Sequence, residues 1–195
     1  VGGVDLQTAL GLPSAVYEIV VDTRFADVDS GHLFAGEVTG LVELGITRGC
    51  TPTTFCPEKL VTRGEMAAFL VRTLNLEPPD GPTDSFTDDD GSVFEADIEI
   101  LSEHGITNGC SVTEFCPTEV VTRGEMAAFL VRAFKLPAGT QASFTDDDET
   151  VFESDIAALK ASGVTSGCAA RLYCPDRVVT RGEMAAFLIR ALALP

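Results

Sequence analysis

Apolar residues fall at helical spacing in two places in each of three successive stretches of the chain. The stronger pattern is a ten-residue string, Val-Thr-Arg-Gly-Glu-Met-Ala-Ala-Phe-Leu, found at 61–70, 121–130 and 179–188. Met66, Phe69, Leu70 and Leu74 sit at i, i+3, i+4 and i+8, which predicts one apolar face of an α-helix. Ala67 and Ala68 keep that helix slim enough for another to approach. A shorter pattern precedes each string: Val38, Leu41, Val42 and Leu44, then Ile98, Ile100 and Leu101, then Ile156, Ala157 and Leu159. It stops at Gly45, Gly105 and Gly163, where a left-handed cap needs no Cβ. Between the two helices each stretch carries a loop ending in an aromatic, Cys and Pro, such as Phe55–Cys56–Pro57. The aromatic is expected to plug the core beneath the loop. The expected fold is mainly α: helix, pinned loop, helix, written three times over 25–76, 86–136 and 144–194. The linkers at 77–85 and 137–143 are rich in Pro and Gly. Residues 1–24 stand outside the repeats, and the β-branched run at 15–21 predicts a strand in an extended N-terminal arm.

The chemistry of the long helix is concentrated at its start. Thr62, Thr122 and Thr180 are placed to cap, with Glu65, Glu125 and Glu183 three residues on, as in a capping box. Arg63, Arg123 and Arg181 occupy the first helical position, where the dipole disfavours a cation. Two readings stay open for them. The guanidinium packs over a neighbouring turn or carboxylate, or it aims a planar donor fork at an anionic ligand.

Charge and cysteines then narrow the class. A net charge of −17 over 195 residues, with no basic patch, argues against nucleic acid. Six cysteines fall as pairs five residues apart, Cys50–Cys56, Cys110–Cys116 and Cys168–Cys174, which predicts one local disulfide per repeat and an oxidising compartment. Zinc is the rival, but His32 and His104 cannot complete three equivalent sites; both read as surface or helix-end residues. Acids cluster before the shorter helices, Asp88, Asp89, Asp90, Glu95 and Asp97 and then Asp146, Asp147, Asp148, Glu153 and Asp155, first as a helix start and alternatively as calcium ligands, with Asp88, Asp90, Asp146 and Asp148 singled out. No catalytic pairing of Ser, His, Asp or Cys is suggested, so no enzyme is expected. No apolar run is long enough to span a membrane. Without an initiator Met or signal peptide, the chain reads as a mature secreted form or a fragment.

The order Phe-x-Asp, first helix, Gly-Ile/Val, aromatic-x-Pro, then Thr-Arg-Gly-Glu and an apolar helix resembles the S-layer homology domain, three copies of which cover 25–194. The resemblance implies a pseudo-threefold helical bundle that holds secondary cell-wall polysaccharide, often pyruvylated, and anchors surface proteins to the bacterial envelope. It places the sugar acid against Arg63, Arg123 and Arg181, with Gly45, Gly105 and Gly163 lining the groove and Asp27, Asp88 and Asp146 as the early acids. The chain departs from the family in three ways. Leu33, Val93 and Val151 replace the usual Trp, Gly64, Gly124 and Gly182 replace the motif alanine, and the cysteine pairs are additional.

Two functions are therefore expected in order. The first is a non-catalytic cell-surface anchor for wall polysaccharide. The second is a structural subunit of an extracellular filament, sheath or surface layer, its arm pairing with a neighbouring copy.

Overall fold

The computed structural model describes residues 24–78, 81, 84–139, 144–148 and 150–194. The expected strand at 15–21 lies outside them. The described residues form six helices and no named strand: α1 (Ala35–Glu43), α2 (Arg63–Leu74), α3 (Glu95–Glu103), α4 (Arg123–Phe134), α5 (Glu153–Ala161) and α6 (Arg181–Leu192). The long helices α2, α4 and α6 each start with a complete capping box, the threonine hydroxyl accepting from the glutamate amide and the glutamate accepting from the threonine amide. Their Met, Ala-Ala, Phe and Leu side chains are buried.

The short helices end as predicted. Gly45, Gly105 and Gly163 have φ of +72°, +66° and +79°. Gly45 N–H donates to Val42 and Ile46 N–H to Leu41, the paired bonds of a glycine-closed helix end. Their starts differ from expectation. The residues preceding α1, α3 and α5 are Phe34, Phe94 and Phe152, and none makes a side-chain cap hydrogen bond. The early aspartates Asp27, Asp88 and Asp146 are engaged elsewhere. Leu44 lies past the end of α1 and is 41 % exposed, because the helix closes before the apolar spacing is complete.

The chain divides into two compact units, one of residues 1–59 with 180–195 and one of residues 60–179. Within the first, α1 packs on α6. Within the second, α2 packs on α3 and α4 on α5. In every pair the long helix of one repeat meets the short helix of another, so the packing unit is offset from the sequence repeat. Inside the second unit, Val61 N–H donates to Val179, Val179 N–H to Val121 and Val121 N–H to Val61, at 2.9–3.0 Å. These three valines are fully buried, and their amides close a cyclic set of hydrogen bonds.

Candidate functional site

The first two amides of each long helix have no acceptor within that helix and must find one outside it. Arg63 N–H donates to Glu119 O and Gly64 N–H to Pro117 O; Arg123 N–H donates to Arg177 O and Gly124 N–H to Pro175 O; Arg181 N–H donates to Lys59 O and Gly182 N–H to Pro57 O. The third amide goes to the capping threonine. The turn that follows the second cysteine of another repeat thus closes each helix start, and these amides do not point outward to a ligand as sequence reasoning expected.

The arginines follow the same route. Arg63 Nε donates to Phe115 O at 2.7 Å, Arg123 Nε to Tyr173 O at 2.8 Å and Arg181 Nε to Phe55 O at 2.9 Å. Each guanidinium lies 4.6–4.9 Å from the centroid of that same aromatic ring. Arg63 also pairs with Glu125 at 3.3 Å, the acid that caps α4. All three arginines are only 4 % exposed. Burial pulls the Arg63 pKa down, and Glu125, Glu119 and Asp88 oppose that pull. Tyr173 adds a bond that its Phe counterparts lack, its hydroxyl donating to Arg123 O at 2.8 Å; burial pushes its pKa up. Of the two readings open for the arginines, the packed one describes their contacts.

Asp27, Asp88 and Asp146 are also engaged within the fold. Each carboxylate accepts two consecutive loop amides at 2.7–2.8 Å: Phe55 and Cys56, Phe115 and Cys116, Tyr173 and Cys174. These bonds hold Cys56, Cys116 and Cys174 at φ of 59–60°, a backbone that L-residues seldom adopt. The expected disulfides form at all three pairs. Two groupings of acids with Cys110–Cys116 and Cys168–Cys174 have metal-like spacing, but their sulfurs are already bonded to each other. Gly45, Gly105 and Gly163 face open space at the surface. Asp90 and Asp148 are exposed. His104 closes α3, its Nδ1 2.8 Å from Ile100 O, and His32 Nδ1 accepts from Phe34 N–H, so both histidines serve chain ends.

Sequence reasoning missed one pairing. A Cβ built on Gly64 would lie 2.5 Å from the Phe94 ring, and Gly124 and Gly182 meet Phe152 and Phe34 in the same way. The glycine in the arginine motif is the seat of a phenylalanine from another repeat. The signal present in the sequence was a glycine and a phenylalanine, each repeated three times.

A family model described as the S-layer homology domain matches residues 24–67, 85–127 and 143–185. The chain belongs to the S-layer homology family. It is 31 % identical over 171 residues to an S-layer protein of Bacillus thuringiensis subsp. finitimus, covering 85 % of this chain and 21 % of that protein. It is 30 % identical over 192 residues to a surface-layer 125 kDa protein of Lysinibacillus sphaericus, covering 95 % of this chain and 16 % of that one. An endoglucanase of Bacillus sp. (strain KSM-635) is 34 % identical over 113 residues, 57 % of this chain and 12 % of the enzyme. The chain thus spans about a quarter or less of the curated relatives it matches. The family occurs in proteins named as surface-layer proteins, and no described helix of this chain is long and apolar enough to cross a membrane.

Proposed function

We propose that this chain is a non-catalytic anchor, secreted to the bacterial surface, that holds pyruvylated secondary wall polysaccharide and so fixes a surface structure to the envelope. The observation that carries this reading is the company the module keeps. Relatives named as S-layer proteins and a relative named as an endoglucanase share only this portion with the chain. A segment common to proteins of such different names supplies location rather than reaction.

The sugar acid is assigned to Arg63, Arg123 and Arg181, with Gly45, Gly105 and Gly163 as the groove residues that the family resemblance implies. A guanidinium carries five N–H donors. Arg63 uses Nε and one Nη within the protein, so its fork has capacity for a ligand carboxylate alongside its structural bonds.

The test is co-sedimentation with wall sacculi, with and without their pyruvyl ketals. Native sacculi should carry the protein down and ketal-free sacculi should not. Single Arg→Lys variants at 63, 123 and 181 keep the charge and lose the fork; weaker sedimentation at unchanged melting temperature supports direct contact. If wild-type protein stays in solution with both sacculi, the anchor reading fails. If all three variants sediment as wild type does, the arginine assignment alone fails.

A further inference from the structure

The residue after each early aspartate is apolar in one repeat and acidic in the other two. Val28 is fully buried. Its counterparts Asp89 and Asp147 are just as enclosed, each 1 % exposed. Asp89 Oδ2 and both carboxylate oxygens of Asp147 have no hydrogen-bond partner. An enclosed carboxylate without a partner is strongly unfavourable when ionised, and proteins resolve this with a counter-ion, a metal or a proton.

A second acid varies in step with the first. Glu95 and Glu153 open α3 and α5 six positions after Asp89 and Asp147, whereas α1 opens with buried Ala35 in the repeat that has Val28. The two positions are both apolar or both acidic. The first-turn acid of α1 stands two positions further on, at Glu37. Glu95 folds back over the turn that follows Asp89, its Oε2 accepting Gly91 N–H at 2.9 Å. Glu99 is not part of the shared pair, because it accepts both the N–H and hydroxyl of Ser85, and Ala157 holds its place in the third repeat.

We propose that the second and third repeats each bind one calcium ion, through Asp89 with Glu95 and through Asp147 with Glu153, and that the first repeat binds none. Hard carboxylate oxygens suit calcium, which accepts six to eight oxygen ligands in irregular geometry and completes its shell with water. Zinc is disfavoured because every cysteine is in a disulfide and neither histidine is near the pair in sequence. Within the acidic clusters the structure separates these pairs from the other aspartates. Asp88 and Asp146 hold the cysteine loops, and Asp90 and Asp148 are exposed.

The test uses the full chain, freed of metal by chelation. Calorimetric titration with calcium chloride should find two ions per chain, and millimolar calcium should raise the melting temperature by about 5 °C. Asp89→Val and Asp147→Val copy the first repeat; each should remove one ion. The double variant should bind none and melt above wild type in chelator. Glu95→Gln with Glu153→Gln, both at exposed positions, should weaken binding at least tenfold in a protein that folds normally. Asp90→Asn with Asp148→Asn should leave both ions in place. Absence of binding by wild-type protein, which would mean that protons satisfy these carboxylates, overturns the proposal. So does retention of two ions by the double valine variant, or loss of both in the Asp90/Asp148 variant.

Discussion

At the scale of single residues, the glycine of the arginine motif is explained by its neighbour. Glycine near a helix start sacrifices about 0.5–1 kcal/mol of helix stability relative to alanine. Here the missing methyl is the space that the Phe94 ring fills. Gly64→Ala should therefore destabilise by about 1–3 kcal/mol through overpacking. The same substitution in a Phe94→Ala background should be neutral or stabilising. Denaturant melts of the four proteins form a cycle, and additivity of the two single effects would contradict the pairing. Both residues were visible in the sequence, each recurring once per repeat. Their connection was not, because the ring and its seat lie in different repeats, and only the packing of α2 on α3 brings them together.

Among the helices and their junctions, the glutamates of the long helices have more than the capping role that local sequence reveals. Glu125 caps α4 and also accepts Arg63 from another repeat. Thr122→Ala removes only the cap and should lower stability by about 1 kcal/mol. Glu125→Ala removes the cap and leaves a nearly buried guanidinium without its acid, so a loss of about 2–3 kcal/mol is expected in the same melts. Equal losses would show that the ion pair contributes little. The helices, their glycine ends, the capping boxes, the disulfides and the buried aromatics were all legible, because each depends on residues close in sequence. The destinations of the arginines and of the helix-start amides were not. They are decided by which turn of another repeat lies alongside, and a local pattern carries no record of that. The early aspartates were misjudged for a related reason. A carboxylate ahead of a helix suggests a cap, yet these reach 27–29 positions along the chain to fix a cysteine in an unusual backbone.

In the molecule taken whole, the offset between repeat and packing unit decides what a fragment can do. A chain ending at Leu136 keeps two sequence repeats but loses α5 from α4, α6 from α1, and Val179 from its two valine partners. It should show helical circular dichroism without a cooperative melt, and its amide protons at Val61 and Val121 should exchange rapidly. In the intact chain the same amides should exchange only on global unfolding. A sharp melting transition in the fragment would mean that the repeats are self-sufficient.

The reach from Arg181 to Phe55 crosses 126 positions, and α1 has its packing partner only in the last helix. A ribosome releases the first repeat long before that helix exists. The first repeat must therefore travel as an incomplete surface until α6 has been made, a state well suited to being threaded through a narrow channel. Closure then depends on α6, so a stop codon ahead of that helix should disable the first repeat as well as the third.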